Sequence, residues 1–71
     1  MPNDFPRLRE ELENRIKALT GRRLRNLDIK LSAEGVVLRG EAQTFYIKQL
    51  AQHGVREVLP DVRLDNAIQV A

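Results

Sequence analysis

From Leu27 to Val70 the spacing of apolar residues switches from two, to between three and four, and back to two, and few arrangements of secondary structure accept that succession. Leu27, Ile29 and Leu31 alternate with Asn26, Asp28 and Lys30, as a strand with one buried and one wet face requires. Ser32, Ala33, Glu34 and Gly35 make a short polar connection, with glycine where a hairpin loop often needs a positive φ. Val36, Val37 and Leu38 continue as a second strand, closed by Gly40. Thr44 stands ready to cap a helix whose inward face holds Ile47, Leu50, Ala51, Gly54 and Val58, with Tyr46 and Val55 at its borders. Pro60 ends that helix. Val62, Leu64, Ile68 and Val70 then alternate with Arg63, Asp65, Ala67 and Gln69 as a third strand, in which Asn66 is the polar exception on the inward set.

The segment ahead of this run reads as one more helix. Asp4 is suited to the N-cap and Pro6 to the first turn, where a missing N–H costs nothing. Phe5, Leu8, Leu12, Ile16 and Leu19 recur at about 100° per residue along one narrow stripe. Glu11 with Arg15, and Glu13 with Lys17, have the spacing of i,i+4 ion pairs. Gly21 supplies the left-handed residue at which helices commonly stop, so the helix is predicted to run from about Phe5 to near Thr20.

These elements predict an α+β fold in the order αββαβ, a two-layer sandwich in which two helices cover one face of a three-stranded mixed sheet. The strand–helix–strand succession favours a right-handed crossover, hence a third strand parallel to the second. Val36, Val37 and Leu38 are apolar on both faces, which favours the second strand as the centre. The uncovered face would carry Asn26, Asp28, Lys30, Val37, Arg39, Arg63, Asp65 and Gln69, mostly polar. With 71 residues the chain reads as one domain spanning its whole length, and a domain of that size buries only about 60% of its unfolded surface.

Composition narrows the chemistry. Cysteine is absent, which removes disulfides, thiolate metal sites and thiol nucleophiles together. A net charge of +2 with 31% charged residues argues against both disorder and a basic nucleic-acid-binding tail. The N-terminal stretch MPNDFPRLREELENRIK is too charged for the apolar core of a signal peptide, and no run nears the roughly 18 apolar residues of a membrane span. The expectation for the chain as written is a cytoplasmic location.

The segments Gly35, Val36-Val37-Leu38-Arg39-Gly40, Ala42 with Thr44, and Val62-Arg63-Leu64-Asp65-Asn66-Ala67-Ile68-Gln69-Val70 together resemble the BON domain, the bacterial osmotic-stress and nodulation module. Its pattern is a hairpin glycine, V-x-L-x-G, a Ser/Thr-capped helix and G-V-x-x-V-x-N-x-I-x-V. Each piece is common alone; their order and spacing over most of the chain carry the resemblance. Two departures stand out. Asp61, after Pro60, replaces the glycine before the last strand, where Asp tolerates left-handed geometry. Gly35 also sits one residue closer to its strand than in many members. The resemblance implies the same αββαβ fold and a non-enzymatic module that binds phospholipid surfaces or other hydrophobic ligands, often in periplasmic, outer-membrane or pore-associated proteins.

Among single residues, Gly35, Gly40 and Asn66 read as fold residues, since buried amides normally find a backbone partner and no glycine-rich phosphate cradle is present. His53 lies among Gln49, Gln52 and Arg56 and reads as solvated; one imidazole builds no metal site, and no acid, base or nucleophile set converges. No enzymatic activity, cofactor or metal is expected. Phe45 falls on the polar side of the second helix's first turn, beside Tyr46 and one turn from Lys48. It is either an aromatic-basic contact edge for an anionic phospholipid surface or a protein partner, or a local cover over the hairpin end. Arg22, Arg23 and Arg25, joined by Arg39 or Arg63, are either a phosphate-binding cluster or a solvated loop complementing a helix C-terminus. Two further expectations remain: self-association through an exposed sheet edge, and a KH-like reading in which the arginines bind single-stranded RNA, against which stands the missing GXXG loop.

Overall fold

A computed structural model describes residues 5–71; Asp4, the expected N-cap, lies outside them. Helix α1 (Phe5–Thr20) is followed by a 3-10 turn (Gly21–Arg23), strands β1 (Leu24–Ser32) and β2 (Gly35–Ala42), helix α2 (Phe45–Val58), and two short strands, β3 (Leu64–Asn66) and β4 (Gln69–Val70). The fold is α+β, with two helices packed on a mixed sheet. β2 is central, β1 runs antiparallel to it on one side, and β3 and β4 run parallel to it on the other.

Along α1 the apolar stripe behaves as its spacing requires: Leu12 and Ile16 are fully buried, while Phe5 at the helix start is partly exposed. Thr20 is also buried, and its hydroxyl donates to the Ile16 carbonyl at 2.8 Å, the i−4 bond open to a helical threonine. Gly21 has φ 60°, the left-handed stop expected there. The i,i+4 pairs do not form. Arg15 turns instead to Glu57 of α2 at 3.3 Å, and Glu13 and Lys17 have no ion-pair partner among the described residues, because exposed pairs of this kind are worth only a few tenths of a kcal/mol.

β1 begins three residues before the alternation suggests, at Leu24, opposite Ala42. The alternation hides this because the register shifts between Arg25 and Asp28: Asn26 and Leu27 stand against the single residue Gly40, and Asn26 takes φ 56°. Such a bulge puts two residues of one strand against one of the other. Gly40 therefore does not close β2. A Cβ there would lie 2.9 Å from the Arg25 carbonyl oxygen, so glycine is what lets the bulge lie flat while β2 continues to Ala42. At the hairpin, Ser32 pairs with Gly35, leaving a two-residue loop of Ala33 and Glu34.

α2 starts as its sequence requires, the Thr44 hydroxyl accepting the Ile47 N–H at 3.2 Å. Its buried line is Ile47, Ala51, Gly54 and Val55. Val55, expected at the border, is fully buried, and Leu50 and Val58 are the partly covered ones. The helix is rotated toward α1 because Gly54 permits close approach: a Cβ there would meet the Ile16 side chain at 3.2 Å. After the Leu59 cap, no left-handed residue turns the corner at Asp61, as Asn26 is the only non-glycine with positive φ among the described residues. The Arg56 guanidinium closes it, donating to the carbonyls of Pro60 at 3.1 Å and of Val62.

The expected third strand is broken in two, and Asn66 is the reason. Its Oδ1 accepts from the Ile68 N–H at 3.2 Å, while its Nδ2 donates to the Lys48 carbonyl of α2 at 2.9 Å. A side chain bonding its own backbone two residues on bends the chain; Ile68 is thereby fully buried, whereas Val70, expected to face inward, is 41% exposed. Asn66→Ala leaves the Ile68 N–H without its acceptor and is expected to cost about 1–2 kcal/mol, read as a lower urea midpoint and faster hydrogen exchange at Ile68.

The shared interior comprises Leu12 and Ile16 of α1, Ile29, Val36, Leu38 and Ala42 of the hairpin, Ile47, Ala51 and Val55 of α2, and Ile68. On the uncovered face Asn26, Lys30, Arg39, Arg63, Asp65 and Gln69 are exposed, with Asp28 and Val37 half-buried.

Candidate functional site

β2 carries its polypeptide to one end of the sheet, and three separate segments meet there. Ala42 lies between Leu24 of β1 and Val70 of β4. The Gln43 N–H donates to the Arg23 carbonyl at 3.3 Å, and the Ala71 N–H to the Ala42 carbonyl at 2.9 Å. The 3-10 turn bearing Arg22 and Arg23, the first turn of α2 and the last residues of the chain thus share one end of the molecule.

Phe45 and Tyr46, in that first turn, are 60% and 62% exposed, and Val70 is the third large apolar side chain left open there. The helix dictates this. With Ile47 and Ala51 turned to the core, residues one and two positions before Ile47 are rotated away by about 100° and 200°. The Phe45 ring therefore stays largely open to solvent. Lys48 follows Phe45 by three residues on the same helical flank; it is half-buried, and its carbonyl is the one held by Asn66. No acidic residue occupies the first turn of α2.

The arginine cluster is divided. Arg22 and Arg23 are exposed in the 3-10 turn, but Arg25 belongs to β1 and stands opposite Glu41, a cross-strand partner of opposite charge. Arg39 stands opposite Asp28 on the uncovered face. Arg63 lies at the far end of the sheet, where its carbonyl accepts the Val36 N–H at 2.8 Å. Neither joins Arg22 and Arg23.

His53 is 66% exposed and meets Glu57 at 3.4 Å; the other carboxylate oxygen of Glu57 takes Arg15 at 3.3 Å. The three form an exposed clasp between the helices. No helix of the described residues is long and apolar enough to cross a membrane.

Two properties of this end were missed in the sequence. Val70 reads as inward in the alternation, and nothing local connects the arginine turn to the aromatic pair, more than twenty positions further on. Only strand pairing joins them. In comparisons with family models, curated proteins and solved structures nothing matches this chain.

Proposed function

We propose that the chain is a non-catalytic, BON-like binding module that docks the end bearing Phe45, Tyr46 and Val70 onto an anionic phospholipid surface. The observation that carries this reading is the exposure of two neighbouring aromatic rings beside Arg22, Arg23 and Lys48, with no acidic side chain in the first turn of α2. Apolar rings gain free energy by entering the boundary between headgroups and acyl chains, and cations beside them meet lipid phosphate. Each basic residue near such a surface contributes about 1 kcal/mol, so the rings and the charges are of comparable weight. The same surface suits a protein partner with an apolar, acidic patch.

Co-sedimentation with vesicles of mixed phosphatidylserine and phosphatidylcholine tests the lipid reading. Binding is expected to fall with added salt and to drop about tenfold or more in Phe45→Ala, as the loss of one buried aromatic ring implies. Wild type and variant pelleting equally little removes it.

The exposed pair Arg22 and Arg23 favours one other reading, a KH-like module for single-stranded RNA. Under that reading RNA binding has a steep salt slope and is lost when Arg22 and Arg23 are replaced, while Phe45→Ala leaves the slope unchanged.

A further inference from the structure

β1 is the only long free edge of the sheet among the described residues. On the opposite side β3 has three residues and β4 two, interrupted by the bend at Asn66. β1 has nine, and beyond its bulge the segment Asp28 to Ser32 pairs continuously with β2, on one side only. The Val36 N–H and the Leu38 carbonyl are bonded to the β3 side, which makes Leu31 opposite Val36, and Ile29 opposite Leu38, the non-hydrogen-bonded pairs of the hairpin. In an antiparallel ladder such residues turn their N–H and C=O groups outward. Ile29 and Leu31 therefore present unpaired backbone donors and acceptors at the edge, an arrangement that accepts a further strand.

The segment Leu27-Asp28-Ile29-Lys30-Leu31 is also complementary to itself. Laid antiparallel on a second copy about a two-fold axis at Ile29, it sets Asp28 opposite Lys30 of the other copy twice over, and Leu27 opposite Leu31 twice over. Ile29 meets its counterpart as a hydrogen-bonded pair. The two ionic pairs then fall at non-hydrogen-bonded positions, where opposing side chains are closest, with Cα atoms about 4.5 Å apart. Leu27 and Leu31 are half-buried in one copy, so each has apolar surface left for the other to cover. A groove of about 660 Å³ lined by Phe5, Pro6, Arg9, Lys30 and Leu31, among others, runs beside this edge.

We infer that β1 is a homodimer interface: two copies join β1 to β1 antiparallel, with Ile29 on the two-fold axis and Asp28 paired with Lys30 across it. In a single copy Asp28 is held by Arg9 at 3.2 Å, both side chains about half exposed. Asp28 faces the uncovered side of the sheet and Arg9 belongs to a helix on the other, so this bridge passes the free edge and opens when a second β1 arrives, Lys30 of the second copy taking the place of Arg9. The surface lies apart from the aromatic end, and the inference stands or falls independently of the lipid reading.

Sedimentation velocity of the full chain from about 10 µM to about 1 mM, a range that captures weak association, tests it. Wild type is expected to pass from monomer to dimer over that range. Lys30→Asp sets two aspartates opposite each other at both pairs and weakens association about tenfold or more, whereas adding Asp28→Lys to it reverses every charge, restores the complementarity and returns association to within about threefold of wild type. All the changed side chains lie on the outer face of the sheet, and circular dichroism verifies that the variants are folded. A wild type that stays monomeric throughout overturns the inference, as does a dimer that responds to the single and double variants alike.

Discussion

Gly35→Ala is expected to destabilise the protein by about 2–4 kcal/mol, a large share of its total stability. Gly35 has φ 144°, and a Cβ built there lies 2.3 Å from the carbonyl oxygen of Arg63. That oxygen accepts the Val36 N–H at 2.8 Å, the bond with which the start of β2 joins the strand side formed by β3. Two costs therefore add. A residue with a side chain is strained by about 1–3 kcal/mol in such a conformation, and the overlap with backbone is relieved only by parting the two chains and losing the hydrogen bond, worth about another 1 kcal/mol. A chain of this length has roughly 4–10 kcal/mol in all. Urea denaturation followed by circular dichroism measures the loss, and a midpoint within error of wild type would mean that β3 shifts freely away from the hairpin. Gly21 provides the contrast: its φ is also positive, at 60°, yet a Cβ there meets nothing within 4 Å.

Leu38→Ala is expected to cost about 3–5 kcal/mol, the range found when a fully buried leucine is truncated and its surroundings close only partly. Leu38 has no exposed surface and sits on the central strand, opposite Ile29 of β1 on one side and Asn66 of β3 on the other. Its neighbours are held by strand pairing on both sides, so the void is not easily refilled. Leu38→Met keeps the volume and is expected to lose less than about 1.5 kcal/mol. Parallel denaturation of the two variants decides the matter: similar midpoints would show that the interior tolerates the void, and that Leu38 is not the keystone its position makes it.

Much of the fold was legible because it rests on local rules. The stripe Leu12 and Ile16, the stop at Gly21, the cap at Thr44 and the central place of the Val36-Val37-Leu38 run all follow from spacing or from the backbone preference of one residue. Where local reading failed, two segments were acting on each other. Gly40 looks like a strand end in the sequence, but its reason is the bulge at Asn26 and Leu27 passing over it. The spacing puts Val55 at the border of the inward face, whereas the approach of α1 at Gly54 turns the helix and buries it. The alternating apolar residues of the last segment predict one continuous strand, although Asn66 uses its amide to bend it. The surface residues divide in the same way. The exposure of Phe45 and Tyr46 follows from the helical phase set by Ile47, but their nearness to Arg22, Arg23 and Val70 follows from the pairing of Leu24 and Val70 with Ala42.

What the sequence determined by itself is the set of elements and which side of each is apolar, since the energy gained by burying a stripe or an alternate set depends only on residues a few positions apart. The tertiary structure alone decided the register, the bulge, the broken last strand and the gathering of basic and aromatic groups at one end. These depend on free-energy differences between pairings of segments distant in the chain, and no periodicity within either segment records its partner.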